Sequence, residues 1–247
     1  MMLDNPRAHL VLALLSLMLA MTVAEFTDLD MLIQQRLYQA ATHQWIWDRH
    51  EPVSRLLLYD GIKALLIVTG VALAVQWWRH RQGDQGRQRV WLAALLTLLL
   101  VPSATGLLKA GTNVACPQAL QVFGGELPQV GVFQAWPSGQ RPASRQRCFP
   151  AGHASGGFGL LGLVFLARRR RARVAIVLGV LALGWLMGLY KMAIGDHFFS
   201  HTWVSMLLGW LTASLAGVWL RASEVASRAV PASGRCDETY SLVVKNT

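Results

Sequence analysis

The sequence predicts an all-α polytopic membrane protein: a six-helix transmembrane bundle with interfacial helices in its outer loops. Three observations carry this. Hydrophobic residues are 53% of the 247 and charged residues only 15%, with a mean hydropathy of +0.37, whereas a soluble domain carries about 25% charged residues. The apolar residues gather into six blocks, each near the ~20 residues that cross ~30 Å of hydrocarbon. The formal net charge of +10 is spread unevenly between the connecting segments. Together these exclude a disordered chain, a collagen and an ordinary soluble enzyme.

The predicted spans are residues 9 to 25, 56 to 78, 90 to 108, 152 to 167, 173 to 191 and 199 to 220. The first is short and follows Arg7 and His9. It reads either as a retained span or as a signal peptide with Thr22-Val23-Ala24 as its cleavage site, and the retained span is the expectation adopted. The fourth and fifth are rich in glycine. That composition lets helices approach closely in a bilayer and is costly in an isolated soluble helix.

Orientation follows from Lys and Arg. With both termini inside, the cytoplasmic segments are the N-terminus, residues 79 to 89, residues 168 to 172 and a tail over 221 to 247. These hold more than half of the basic residues, including the run Arg168 to Arg171, as the positive-inside rule requires. Topology thus accounts for the basic runs, and no nucleic-acid partner is expected despite a pI near 10.4. Three segments then lie outside. Residues 26 to 55, with Trp45 and Trp47, read as one or two amphipathic interfacial helices. Residues 109 to 151 form a long loop punctuated by glycine and proline, with little regular structure expected. Residues 192 to 198 are a short turn. The tail, with Pro231, Ser233, Gly234 and Cys236, is expected to be mobile.

Cys116 and Cys148 both fall in the long loop. In an oxidising compartment they pair; free thiols, or a metal site completed by a histidine, are the alternatives. Ionisable residues at span ends carry the functional signal, because they are expensive there unless they pair or work. Lys109 ends the third span. Pro150-Ala151-Gly152-His153 opens the fourth, followed by Ser155, Gly156 and Gly157. Lys191 ends the fifth, and Asp196, His197 and His201 begin the sixth, the two histidines at i and i+4 on one helix face. All lie at the same membrane face.

These spacings resemble the type 2 phosphatidic acid phosphatase superfamily, membrane lipid phosphatases that share an active-site plan with vanadium haloperoxidases. The family pattern is Lys-x6-Arg-Pro, then Pro-Ser-Gly-His, then Ser-Arg-x5-His-x3-Asp. Here the elements read Lys109-x6-Cys116-Pro117, Pro150-Ala151-Gly152-His153 and Tyr190-Lys191-x5-His197-x3-His201. The chain departs from the pattern in lacking both motif arginines, the motif serines and the closing Asp. A lysine point charge does not reproduce a bidentate guanidinium, and Arg141, Arg145 and Arg147 are candidates to supply one.

The resemblance implies metal-independent phosphohistidine chemistry with no cofactor. It maps the nucleophile onto His197 and the acid and base onto His153. His201 takes the place of the Asp that holds the nucleophile's other nitrogen. Lys109, Lys191, Arg145, Arg147 and the backbone N–H of Gly152 are expected to grip phosphate. Partners implied are the lipid bilayer and a phosphorylated lipid such as undecaprenyl diphosphate, phosphatidylglycerophosphate, phosphatidate or lipid A 1-phosphate. The expected location is a bacterial inner membrane with the site facing the periplasm. Three alternatives stay open: a phosphotransferase using the same intermediate, a hydrolase with metal on His197, His201 and either His153 or Asp196, and a catalytically inactive lipid-binding relative.

Overall fold

Each apolar block folds as helix, because a backbone in hydrocarbon must satisfy its N–H and C=O groups within its own segment. The computed structural model describes residues 5–229, so the tail beyond 229, with Cys236 and its expected mobility, lies outside the described residues. Five helices are long and apolar enough to cross a membrane. They are α1 (Pro6–Phe26), α3 (Pro52–Arg79), α4 (Gln85–Gly111), α6 (Arg170–Ala193) and α7 (Phe199–Ala229). The predicted fourth span is the shorter α5 (Gly152–Leu166). It is α-helical over Gly152–Gly159 and 3₁₀ over Leu160–Leu166. At 1.5 and 2.0 Å per residue this reaches about 26 Å, so the tighter winding recovers length that fifteen residues of α-helix would lack.

The bundle is built around α5, which packs against α4, α6 and α7, while α1 lies along α7. Its main core joins Leu73 of α3, Ala94 and Leu98 of α4, Leu161 and Val164 of α5, Val180 of α6 and Ala213 of α7. Most glycines of the fourth and fifth spans, Gly179 excepted, sit where helices touch. A Cβ added at Gly184 of α6 would lie 2.3 Å from the ring of Phe158, which is fully buried. In α4, Pro102 removes the N–H that would have bonded the Leu98 carbonyl, and Gly159 of α5 packs against that oxygen.

The segment before α3, expected to hold one or two interfacial helices, is only partly helical. It contains one helix, α2 (Leu29–Arg36), and then a hairpin of β1 (Tyr38–Gln39) and β2 (Gln44–Trp45), with Tyr38 opposite Trp45. Their rings pack on each other and on Phe123 of the long loop at 5.0 to 5.3 Å. The aromatic residues thus bind loop to loop. The long loop itself holds two short 3₁₀ turns, Pro117–Ala119 and Gln121–Phe123.

Because Phe158 has no space to retreat into, Gly184→Ala is expected to cost about 1–3 kcal/mol. The check is the thermal unfolding midpoint in detergent; an unchanged midpoint would refute the close packing described here.

Candidate active site

The C-termini of α4 and α6 and the N-termini of α5 and α7 meet at one end of the bundle, opposite the Arg168 to Arg171 run. Lys109 and Lys191 occupy the last turns of α4 and α6, where the helix dipole favours a cation. Lys191 is buried. The long loop is tied across this end by a disulfide between Cys116 and Cys148, whose Cα atoms are 5.2 Å apart. Beside it the Cys148 N–H donates to the Val114 carbonyl at 3.1 Å and the Thr112 hydroxyl to the Phe149 carbonyl at 2.7 Å.

Those bonds deliver the chain to α5. The Ala151 N–H donates to the His201 carbonyl at 3.0 Å, and the Ser205 hydroxyl is shared between the Ala151 and His201 carbonyls at 2.9 Å each. The start of α5 is therefore stitched to the first turns of α7. His153, second residue of α5, faces the Tyr59 ring at 4.9 Å. Tyr59 lies in a π-helical stretch of α3, Arg55–Gly61, a winding often found at functional sites. Ala151 at the N-cap supplies no side-chain cap. The Lys109 ammonium lies beside this terminus, 3.5 Å from where a Cβ on Gly152 would be.

His197 sits in the turn between α6 and α7, and its Nδ1 is 3.4 Å from Nδ1 of His201. Both rings are almost wholly buried. Phe149 and Phe198 present edges to His201 at 5.1 and 5.4 Å, and that imidazole also bonds to the Cys148 backbone. Burial, then the neighbouring His201, Lys109, His153 and Lys191, hold His197 well below the ordinary imidazole pKa. Nδ1 of His197 is also 3.5 Å from the Cys148 sulfur.

Ligand atoms of Cys148, His197 and His201 lie within 4.8 Å of one another. A metal site there would need the Cys148 thiolate, the form in which cysteine ligates; in this structure that sulfur is bonded to Cys116. Asp196 does not join the histidines. Its carboxylate accepts from Lys191 Nζ at 2.8 Å, Arg49 Nη2 at 2.5 Å and Gln118 Nε2 at 3.2 Å.

The arginines fall differently from expectation. Arg145 donates from the surface to the Ala110 carbonyl at 2.5 Å, and Arg141 and Arg147 are exposed. The guanidinium in contact with the Lys191 and Asp196 pair is that of Arg49, which motif spacing could not find because it lies far upstream. Two more residues of that upstream stretch brace the turn between α6 and α7. The Asp30 carboxylate accepts from the Ser200 N–H at 2.8 Å and from its hydroxyl, capping the first turn of α7, and Gln34 donates to the Met192 carbonyl at 2.9 Å. Burial raises the Asp30 pKa against the lowering effect of Ser200. The signal for both was their i, i+4 spacing, which puts two polar groups on one face of α2. Gly195, at φ +77°, completes the brace: a Cβ there would meet Trp45 at 2.3 Å.

A cleft of about 670 Å³ leads from His153 and Tyr59 between α3, α4 and α5, lined by apolar side chains including Leu66, Ile67, Val71 and Leu99. His153 at the mouth of an apolar cleft, with Lys109, Lys191, His197 and His201 at the same end of the molecule, marks the candidate site of an integral membrane bundle. The PAP2 superfamily matches residues 90–224, and the chain belongs to that superfamily. Membership implies a phosphatase or phosphotransferase acting on phosphorylated substrates. No curated protein and no solved structure matches the chain.

Two outcomes follow from this geometry. Asp30→Ala leaves the first turn of α7 uncapped and is expected to cost about 1 kcal/mol, with Asp30→Asn costing less because it keeps an acceptor without a buried charge; equal thermal shifts would contradict the capping role. The imidazole ¹⁵N signals of His197 are expected to stay those of a neutral ring as pH falls through about 6.5, the ordinary histidine value. Titration at that value would show that burial does not control this residue.

Proposed function

We propose that the protein is a lipid phosphatase, hydrolysing a phosphomonoester or diphosphate on a membrane lipid through a phosphohistidine intermediate. The observation that carries this reading is the apolar cleft ending at His153. Its walls, Ile67, Val71 and Leu99, are each more than half exposed on membrane-spanning helices, so an acyl or prenyl chain enters sideways from the bilayer. A water-soluble phosphate would gain nothing from such a surface.

In this reading Lys109, Lys191 and the uncapped N–H groups at Gly152 hold the phosphate oxygens. His201, bonded to the Cys148 backbone, accepts at Nδ1 from Nδ1–H of His197. That tautomer leaves the Nε2 lone pair of His197 for attack on phosphorus. The bond to the lipid oxygen breaks as His153 protonates it. His153 then takes a proton from water, whose oxygen attacks the phosphohistidine and releases inorganic phosphate. A neutral histidine pair, framed by Phe149 and Phe198, replaces the family's carboxylate and avoids burying a charge.

The disulfide supports a loop end in an oxidising compartment, and the arginine-rich opposite end supports a cytoplasmic face there. Both suit a bacterial inner membrane with the site facing the periplasm. The lipids that fit are those with a phosphate at the membrane surface: undecaprenyl diphosphate, phosphatidylglycerophosphate, phosphatidate and lipid A 1-phosphate. The test is phosphate release from these four by purified protein in detergent with EDTA present. His197→Ala is expected to lower release about 10³-fold or more. Activity abolished by EDTA, or unchanged in the variant, would overturn the mechanism, and no release from any lipid would overturn the assignment as a phosphatase.

A further inference from the structure

Next to Lys191 lies a polar pocket of about 270 Å³, separate from the apolar cleft and lined by Arg49, Arg55, Tyr59, Tyr190, Lys191 and Asp196 among others. Tyr59 is the shared wall: one ring contact reaches His153, and the Lys191 ammonium sits 5.3 Å from the same ring. The pocket therefore adjoins His153 through that ring. Arg49 and Arg55 lie outside the residues that match the family.

Charge in the pocket is one-sided. Three cations, Arg49, Arg55 and Lys191, line it against one carboxylate, Asp196, which already pairs with both Arg49 and Lys191. Nearby Glu51 spends its carboxylate on the N–H groups of Val53 and Ser54 and on the Ser54 hydroxyl. Lys109, Lys191 and the start of α5 serve the transferred phosphate in the phosphatase reading, which leaves the guanidinium groups of Arg49 and Arg55 over. The remaining positive charge exceeds what a single transferred phosphate needs, and guanidinium groups suit phosphate oxygens better than lysine does.

We infer that this pocket is a second phosphate subsite, in which Arg49 and Arg55 bind the phosphate of a lipid diphosphate that is not being transferred. The inference rests on the phosphatase reading for its catalytic arm and on binding alone for the other. Arg49 reaches the pocket from the loop before α3, held by Gln118 at 2.5 Å. Arg55 reaches it from the π-helical stretch, so the two act from different elements.

The catalytic arm compares chain-matched farnesyl diphosphate and farnesyl monophosphate. The wild type is expected to favour the diphosphate, and Arg49→Ala or Arg55→Gln to lower the ratio of the two kcat/KM values about tenfold, the scale of one charged hydrogen bond. Arg55→Gln leaves the Asp196 pairs in place, so a fall in its ratio is not a folding effect. Equal losses on both substrates, or no wild-type preference, would overturn the subsite. The binding arm uses His197→Ala protein in detergent with methylenediphosphonate and inorganic phosphate. Tighter binding of the diphosphonate, abolished by either arginine change, supports the subsite even if neither lipid is hydrolysed, an outcome that would instead refute the phosphatase reading. Equal affinity for the two anions would overturn the subsite whatever the catalytic result.

Discussion

The carboxylate of Asp196 joins three stretches of chain that are distant in sequence. Lys191 comes from the end of α6, Arg49 from the loop before α3 and Gln118 from the loop after α4, and all three meet its two oxygens. An isolated cation is costly to hold at the edge of a bilayer bundle; a shared carboxylate lets two stand together there. Its position one residue before His197 puts the junction that holds the cations in the same turn as that imidazole. Asp30, Gln34 and Trp45 then hold the same turn from its other side.

The histidine pair solves a related problem by the opposite route. Where the cations are paired with a carboxylate, His197 and His201 are buried against each other and against aromatic rings. Aromatic edges from Phe149 and Phe198 close around His201, and the Ser205 hydroxyl ties its backbone to that of Ala151. Position 201, an aspartate in the family pattern, here faces Nδ1 of His197 with an imidazole in place of a carboxylate.

Much of this was legible in the residues. Blocks of apolar sequence fall within a few residues of the helices, because hydrocarbon leaves a backbone no alternative to helix. Lys109, His153, Lys191, His197 and His201 converge because each sits at a helix end whose direction follows from counting spans. What was not legible depends on packing between loops. Trp45 and the polar residues of α2 have the composition of an interfacial helix, and nothing local distinguishes a tryptophan that meets headgroups from one that meets Gly195. Arg49 was missed for the same reason: its partners are distant in sequence, while Arg145 and Arg147 were close to the motif yet belong to the loop surface.

The Cys116 to Cys148 bridge has a consequence for biogenesis. His201 leans on the backbone of Cys148, and the sulfur of that residue lies against His197. A disulfide forms only once both cysteines have left a reducing compartment. A newly made chain whose loop is still among cytosolic thiols therefore lacks the covalent tie behind its histidines. The tie beside the two buried imidazoles thus depends on oxidation of the loop and not on the folding of the helices alone.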